Sequence, residues 1–455
     1  MDKIELKKLF KNILKGRTRT SLALQQISIS FVLKGVGVLV SFMFVPLLIN
    51  YLDKERYGLW LTLVSVLNWA NLFDLGLGNG LRYKLGEALA KNEYALGRTY
   101  VSTTYFLISV IFLPLIVVFL VVGQFLDWQM LLNTSLISNE ELYLITSVVF
   151  SLFCLRFILK LIGVISKAEQ KPTIDNAISV TGQLAAFITI FIITKMYSDA
   201  SLLLVGSIIA GSPVLMYFIY SIVIFNGSNK HLAPSVAYIK LEYKDELLNL
   251  GVKYFIVGIT SVAIFSTYNI LILHLYGAEE VTIFNIAFKL FSAPTMVFMI
   301  ILSPAWSAVT DAYHQQDFKW LKMTLKRYNI LSLLFVIVVV GIALFAQELI
   351  DLWIGENIVV PYSIILGLAV FGAMRIVISP YSNFINGFGK MKLTTRFSIV
   401  GIVTFFALSF ILSTYIENSL SIAIALSCTS LIGLITNTLQ THKILNGTAK
   451  GIWLE

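Results

Sequence analysis

Long apolar runs alternate with short polar connections along the whole chain. Twelve of the runs are about 20 residues long, which is the length that an α-helix needs to cross a bilayer. They fall near residues 26–50, 57–80, 100–123, 142–166, 174–194, 201–225, 248–275, 281–306, 329–347, 358–380, 397–415 and 420–441. The pattern therefore predicts an all-α membrane protein with about twelve transmembrane helices.

The composition supports this fold class. Of 455 residues, 57% are hydrophobic and 13% are charged, whereas a soluble domain carries roughly 25% charged residues. Cys154 and Cys428 both lie inside apolar runs, and the four histidines are scattered. This arrangement predicts no disulfide, no metal site and no cofactor.

The basic residues are distributed unevenly between the two sets of loops. The net charge is +9, and most Lys and Arg residues lie in the termini and in the loops on the same side as the termini. The opposite loops contain only Lys54, Arg56 and Lys195. The positive-inside rule then places both termini in the cytoplasm. Because these residues flank membrane spans, we expect them to face lipid headgroups and not nucleic acid.

The spans divide into two sets of six. We expect an N-terminal six-helix bundle over 1–225, a cytoplasmic linker over 226–247 and a C-terminal six-helix bundle over 248–455. Residues 1–20 are basic and amphipathic, which predicts a helix that lies in the membrane interface.

The two halves resemble each other in sequence. A shift of 224 residues superposes Leu52 on Tyr276 and Arg98 on Lys322 without a gap. This indicates a duplication. With six spans each, the repeats would share one orientation and be related by an axis along the membrane normal.

Several charged residues lie within the predicted spans, where each costs several kcal/mol unless it is paired or hydrated. We assign seven, of which six are basic and one is acidic: Lys34, Asp74, Arg156, Lys160, Lys253, Lys289 and Arg375. Residues that served only to pair with one another would nearly balance in sign. The excess of cations instead predicts a central cationic cavity for an anionic ligand.

The predicted depth of each charge in the membrane indicates which of them contact an anion. Arg156 and Lys160 are one helical turn apart, so their repulsion must be offset by something, and Lys289 is far from a span end. We therefore assign Arg156, Lys160, Lys289 and Arg375 as anion contacts, and Asp74 with Lys34 as the counter-charge of the empty cavity. Snorkelling of Arg375, and a purely structural ion pair between Lys34 and Asp74, are the alternatives.

One stretch, Asn50 to Arg98, contains the segments LDKERYGLW, DLGLGNGLR and LAKNEYALGR. In its apolar part Asn68, Asn71 and Asp74 are spaced by three, so they fall near one helical face. The stretch resembles the polysaccharide transporter branch of the multidrug/oligosaccharidyl-lipid/polysaccharide exporter superfamily. The likeness is sharpest with flippases of lipid-linked O-antigen or capsule repeat units.

The resemblance implies two parallel bundles around a central cavity that opens to the cytoplasm. It also implies a flippase that moves polyprenyl-diphosphate-linked oligosaccharides for O-antigen, capsule or exopolysaccharide across the bacterial inner membrane by alternating access. The assigned cations would then contact the diphosphate or acidic sugars, since charge attraction is strong in a low-dielectric cavity. A glycan polymerase and other assembly proteins are candidate partners.

Three other functions fit the same pattern in part. A small-molecule or drug antiporter of the superfamily would share the fold, but a cavity for organic cations should be acidic. A membrane-embedded glycan polymerase or ligase usually has a large external loop with catalytic basic residues, and the predicted external loops are all short. A scaffold that recruits other glycan enzymes is also compatible with the sequence. No GxxxxGK[ST], GxSxG or HExxH motif occurs, so the sequence predicts no enzyme activity.

Overall fold

The computed structural model describes residues 19–68, 76–197, 201–248, 263–264, 266–302, 305–356 and 358–454. The regular structure within these ranges is helical. The helices are α1 (Arg19–Leu52), α2 (Lys54–Asn68), α3 (Leu77–Ala90), α4 (Tyr94–Gly123), α5 (Trp128–Leu131), α6 (Asn139–Leu159), α7 (Leu161–Ala168), α8 (Pro172–Met196), α9 (Leu202–Asn226), α10 (Tyr268–Tyr276), α11 (Ala278–Leu302), α12 (Ala305–His314), α13 (Phe318–Leu344), α14 (Ala346–Ile354), α15 (Tyr362–Phe388), α16 (Lys392–Ser413) and α17 (Leu420–Leu445). Short 3₁₀ turns follow α9 and α17.

Ten helical segments in the described part are long and apolar enough to cross a membrane. They coincide with ten of the twelve predicted spans, so the protein is a multi-pass, all-α membrane protein. The other two predicted spans, 57–80 and 248–275, include residues 69–75 and 249–262, which lie outside the described residues. Most of the predicted interfacial segment 1–20 also lies outside them.

The chain divides into two compact units. Unit 1 comprises Met1–Asp53 and Val66–Ile259. In it α1 packs on α8, α9 packs on α6 and α8, and α4 packs on α3 and α6. Apolar side chains fill these contacts; Phe112 of α4, for example, stacks on Phe157 of α6 with ring centres 4.5 Å apart.

Unit 2 comprises Lys54–Ser65 and Thr260–Glu455. Helix α15 is its centre, because it packs on α11, α12, α13 and α17, and α16 packs on α17. The first twelve residues of α2 group with this unit. Gly58 lies so close to the carbonyl oxygen of Ala278 that a Cβ atom would overlap it. The hydroxyl of Thr282 also donates to the carbonyl of Lys54 over 2.6 Å.

Polar residues mark the starts of several helices. The side chains of Ser138, Ser201 and Asp317 accept hydrogen bonds from backbone amides in the first turns of α6, α9 and α13. Such N-caps satisfy amides that have no partner inside the helix. They fix where each membrane helix begins.

Two turns occur in both halves at the same offset of 224 residues. Asp53 and Gly277 both have a positive φ, 72° and 93°, and so do Asn92 and Gln316, at 60° and 58°. After Asn92 and after Gln316, the next amide donates to the carbonyl five residues before it over 2.9 Å. The sequence likeness between the halves is thus accompanied by a positive φ at both pairs of positions and by a matching hydrogen bond after Asn92 and Gln316.

The connection over 226–247 lies against α3 and α4 in unit 1. Arg98 donates to the carbonyl of Ala233 over 2.8 Å, and its guanidinium lies 4.4 Å from the centre of the Tyr238 ring. The hydroxyl of Thr103 accepts from the amide of Lys240 over 3.1 Å. The connection is therefore fastened to unit 1 along its length.

Candidate functional site in unit 1

The break between α6 and α7 positions two of the predicted anion contacts. The apolar segment Asn139–Ala168 is a single candidate span, but its helix is interrupted at Lys160. Arg156 lies one turn earlier, in the last turn of α6. The ammonium of Lys160 lies 3.7 Å from the centre of the Phe157 ring. This cation–π contact is one interaction that holds a lysine inside a membrane span.

Arg156 belongs to a chain of polar groups across four helices. Its guanidinium interacts electrostatically with the hydroxyl of Tyr217 in α9. That hydroxyl donates to one carboxylate oxygen of Asp175, in the first turn of α8, over 3.1 Å. The other oxygen lies 2.6 Å from the ammonium of Lys167 at the end of α7. The tyrosine therefore lies between the arginine and a partly buried carboxylate.

A glycine makes this arrangement possible. A Cβ atom on Gly163 would overlap the carboxylate of Asp175, so only glycine allows α7 to approach the start of α8 this closely. Asp175 also lies in the first turn of α8, where the helix dipole favours a negative charge. Local backbone geometry and the dipole together hold the carboxylate in the cluster.

Asp175 is absent from the set of interior charges expected from the sequence, and this is a correction. It is the second residue of the predicted span 174–194, and an acidic residue at that position is typical of a helix start exposed to water. Its place in the first turn of the helix, shortly after Pro172, was the feature of the sequence that could have indicated its role. Among Arg156, Lys160, Lys167 and Asp175, three charges are positive and one is negative, so these residues keep a net positive charge.

An apolar groove lies beside the cluster. It has a volume of about 440 Å³ and lies between α6 and α9, with almost no polar surface. Its lining residues are Leu155, Ile158, Leu159, Gly211, Val214, Leu215 and Phe218. Three of these, Leu155, Ile158 and Leu159, are sequence neighbours of Arg156 and Lys160, so the groove lies at the last turns of α6 beside the two cations.

Two further predicted contacts lie in unit 2. Lys289 is half-buried in α11, and Arg375 has an exposed side chain in α15. The two helices are packed neighbours. Phe288 and Phe371, one residue and one turn away from these cations, lie with ring centres 6.0 Å apart. Each cation also has an interaction partner of its own.

The predicted counter-charge pair is only half described. Lys34 is exposed in α1 of unit 1. Asp74 lies outside the described residues, so its pairing with Lys34 stays a prediction. Within the described part, no three His, Cys, Asp or Glu side chains are grouped closely enough to hold a metal ion.

Sequence reasoning missed a neutral polar network in unit 2. The side-chain amide of Asn269 donates to the hydroxyl of Ser65 over 2.9 Å and accepts from Asn285 over 2.7 Å. Asn285 in turn accepts from the hydroxyl of Tyr268 over 3.2 Å. These uncharged groups satisfy one another, which makes their burial in an apolar environment tolerable. Asparagines inside predicted spans were the signal.

Comparison with known proteins identifies relatives of the chain. Residues 23–308 match the profile of a family described as polysaccharide biosynthesis protein. A Yersinia pseudotuberculosis protein named for O-antigen export is 22% identical over 369 residues, covering 78% of this chain and 81% of the relative.

Solved structures share the fold at low sequence identity. An inward-facing multidrug resistance MATE family transporter of the MOP superfamily aligns with a TM-score of 0.73 at 14% identity, covering 94% of this chain and 100% of that one. A MOP superfamily transporter from Pyrococcus furiosus aligns with a TM-score of 0.62 at 13% identity, covering 96% and 98%. The likeness extends over nearly the whole chain, which shows a fold of the MATE type.

Proposed function

Because the chain belongs to the polysaccharide biosynthesis protein family, we propose that this membrane transporter is a flippase for polyprenyl-diphosphate-linked oligosaccharide repeat units. The cargo would be an intermediate of O-antigen, capsule or exopolysaccharide assembly, moved from the cytoplasmic to the periplasmic leaflet of a bacterial inner membrane. The relative named for O-antigen export supports this cargo class.

The observation that carries the proposal is the pair of cations at the break between α6 and α7. Arg156 and Lys160 lie in an apolar segment long enough to span a membrane. A charge there is costly, so charged residues within spans are usually functional. A diphosphate carries multiple negative charges, and a guanidinium beside an ammonium suits its geometry. We assign Arg156 and Lys160 to the diphosphate, and we assign Lys289 and Arg375, within unit 2, as contacts for phosphate or acidic sugars of the cargo.

The apolar groove beside these cations suits the other end of the cargo. A polyprenyl chain is a branched hydrocarbon, and burying it in a groove lined by leucine, valine and phenylalanine side chains is favourable. The groove and the cations lie on the same turns of α6, so a diphosphate at Arg156 would place the first isoprene units against Leu155 and Leu159. The glycan needs water and extends away from this groove.

Asp175 gives the empty transporter a counter-charge. Through Tyr217 it holds Arg156 in place, and the incoming diphosphate competes for the same guanidinium. In this proposal Asp74, with Lys34, is a further counter-charge of the empty transporter. Ligand binding then changes which partners the cations use, and it biases the two units toward the outward-open state of an alternating-access cycle.

An organic-cation antiporter with the same fold is the main rival. Its substrate would be repelled by Arg156 and Lys160, since like charges in a low-dielectric site interact unfavourably.

Both termini face the cytoplasm in our proposal, because the basic loops lie on their side of the membrane.

The test uses sealed vesicles that contain the purified protein and a lipid-linked oligosaccharide loaded on one leaflet. A lectin added outside scores the glycan that reaches the other leaflet. We expect protein-dependent exposure, and we expect Arg156→Gln/Lys160→Gln to abolish it while the variant still inserts and folds.

A matched control removes two positive charges elsewhere. Lys230→Gln/Lys244→Gln changes exposed residues of the connection. This variant should flip the lipid-linked oligosaccharide at the wild-type rate. Normal flipping by the Arg156 and Lys160 variant would rule out the cationic site, and an absence of flipping across several glycans would favour the polymerase or scaffold function.

A further inference from the structure

A second groove lies at the basic end of unit 2, and no step of the transport proposal uses it. It has a volume of about 440 Å³ and is formed where α13 begins and α17 ends. Lys322, Lys326 and Asn329 line it from α13, and His442 and Asn446 line it from the end of α17 and the residue that follows. Every lining residue lies within the described part, and none of them is acidic.

The polar part of the groove is built to receive negative charge. Lys322 and Lys326 are one helical turn apart, so their ammonium groups repel each other. Neither forms an ion pair within the part of the chain that the structure describes. An anion between them removes the repulsion and accepts hydrogen bonds from both ammonium groups. The side-chain amide of Asn446 can supply a further donor.

The same groove continues into an apolar part. Ile330 and Leu333 also line it, at positions one and two turns beyond Lys326. Their side chains are 54% and 61% exposed. From Lys322 to Leu333 the stripe runs about 16 Å along the helix axis, at about 1.5 Å per residue. It therefore extends from the membrane interface into roughly half of the hydrocarbon thickness.

Packed residues beneath the groove keep its shape. Asn329 donates to the hydroxyl of Tyr381 over 2.9 Å, and the Tyr381 ring lies 6.0 Å from that of His442. Tyr381, Leu325 and Leu445 belong to one buried core cluster of unit 2. The two sides of the groove are thus held together through α15, and its lysines are presented on a fixed frame.

We propose that this groove is a binding site for one anionic phospholipid, with the phosphate between Lys322 and Lys326 and an acyl chain along Ile330 and Leu333. Cations above an apolar stripe at a membrane interface match the order of charge and hydrocarbon in such a lipid. The proposal does not depend on the cargo of the transporter.

The test measures lipid retained by the purified full-length protein in native mass spectrometry, with dioleoyl phosphatidylglycerol or dioleoyl phosphatidylcholine added. We expect preferential retention of phosphatidylglycerol. Lys322→Gln/Lys326→Gln should weaken that retention roughly 30-fold, since each basic contact near the surface contributes about fivefold. Thermal unfolding in lipid-free detergent shows whether the variant is folded.

The matched control is Lys319→Gln/Arg327→Gln. It removes the same charge from exposed positions of α13 that do not line the groove, and it should retain the lipid. An equal loss in the control would show general surface attraction and overturn the site, as would unchanged retention in the Lys322 and Lys326 variant.

Two competitors identify the ligand. Inorganic phosphate at the same concentration should not displace phosphatidylglycerol, because it lacks the acyl chain; displacement would overturn the apolar half of the site. Displacement by equimolar undecaprenyl diphosphate, together with slow flipping by Lys322→Gln/Lys326→Gln, would make the groove a cargo site and overturn the phospholipid assignment.

Discussion

The ammonium of Lys167 lies 2.6 Å from the carboxylate of Asp175, and this contact ties the end of α7 to the first turn of α8. The side chains are 34% and 17% exposed, so the pair is partly shielded from water. Through Tyr217 the same carboxylate reaches Arg156. One acid thus holds one cation of the proposed diphosphate site.

Asp175→Asn keeps the shape of this side chain and removes its charge. We expect undecaprenyl diphosphate to bind about tenfold more tightly, because one unit charge at about 10 Å is worth on the order of 1.5 kcal/mol at an effective dielectric constant of about 20. Flipping should become slower, since release is opposed. Equilibrium binding and the lectin assay measure the two effects.

Tyr217→Phe is the control, because it changes no charge, and it should leave the affinity for undecaprenyl diphosphate within about threefold of wild type. An equal change in affinity in both variants would contradict the proposal that the Asp175 charge weakens binding.

Gly163→Ala should disrupt the same contact by a steric route. The new Cβ atom would overlap the Asp175 carboxylate, so either this carboxylate rotates away from Lys167 or α7 moves away from α8. Such overpacking costs about 1–3 kcal/mol, and we expect a lower thermal midpoint together with slower flipping. Gly86→Ala is the control, because its nearest neighbour is 3.8 Å from the added atom. Equal stability of the two variants would show that the close approach is dispensable.

Gly58→Ala should weaken the attachment of the first turns of α2 to unit 2. A Cβ atom there would overlap the carbonyl oxygen of Ala278, and the bond from Thr282 to the Lys54 carbonyl would lengthen as the helices separate. We expect a loss of about 1–3 kcal/mol in stability, measured by thermal unfolding in detergent. Gly433→Ala meets nothing within 4 Å, and it should be neutral or slightly stabilising. A stable Gly58→Ala variant would contradict this packing.

Acid should loosen the attachment of the connection over 226–247 to α3 and α4 of unit 1. The pKa of Glu246 is lowered from its usual value by its hydrogen bond with Lys84 and by the lysine charge, and the two groups are 2.8 Å apart. Because the folded pKa is depressed, this contribution to stability is present above the ordinary carboxyl pKa and is lost as the pH falls through the lowered value. The protection factors of 230–247, which correct for the pH dependence of intrinsic amide exchange, should therefore fall in acid.

A substitution that removes the lysine charge tests the cause of that pH dependence. Lys84→Gln removes the partner, so it should lower the protection factors of the connection near neutral pH and make them less dependent on pH. Lys91→Gln, which breaks only the exposed pair with Glu87, should leave the exchange of 230–247 unchanged. An unaltered profile in Lys84→Gln would show that the ion pair does not hold the connection.

The sequence alone determined the fold class and ten membrane helices, because a 20-residue apolar run in a bilayer has one satisfactory backbone conformation. It also located Arg156 and Lys160 as charges within a predicted span, since a charge within such a run is visible without coordinates; their role as anion contacts stays a prediction. The repeat at an offset of 224 residues was also visible without coordinates, because the two halves superpose in sequence without a gap.

Only the tertiary structure decided which residues these cations meet. Asp175 and Tyr217 are 19 and 61 positions from Arg156 in the chain, and their contact depends on how α7, α8 and α9 pack. The close approach at Gly163 and the placement of the first turns of α2 with unit 2 depend on packing in the same way. Periodicity reports which face of a helix is apolar, whereas the partner of a polar group is set by the neighbouring helix that three-dimensional packing brings to it.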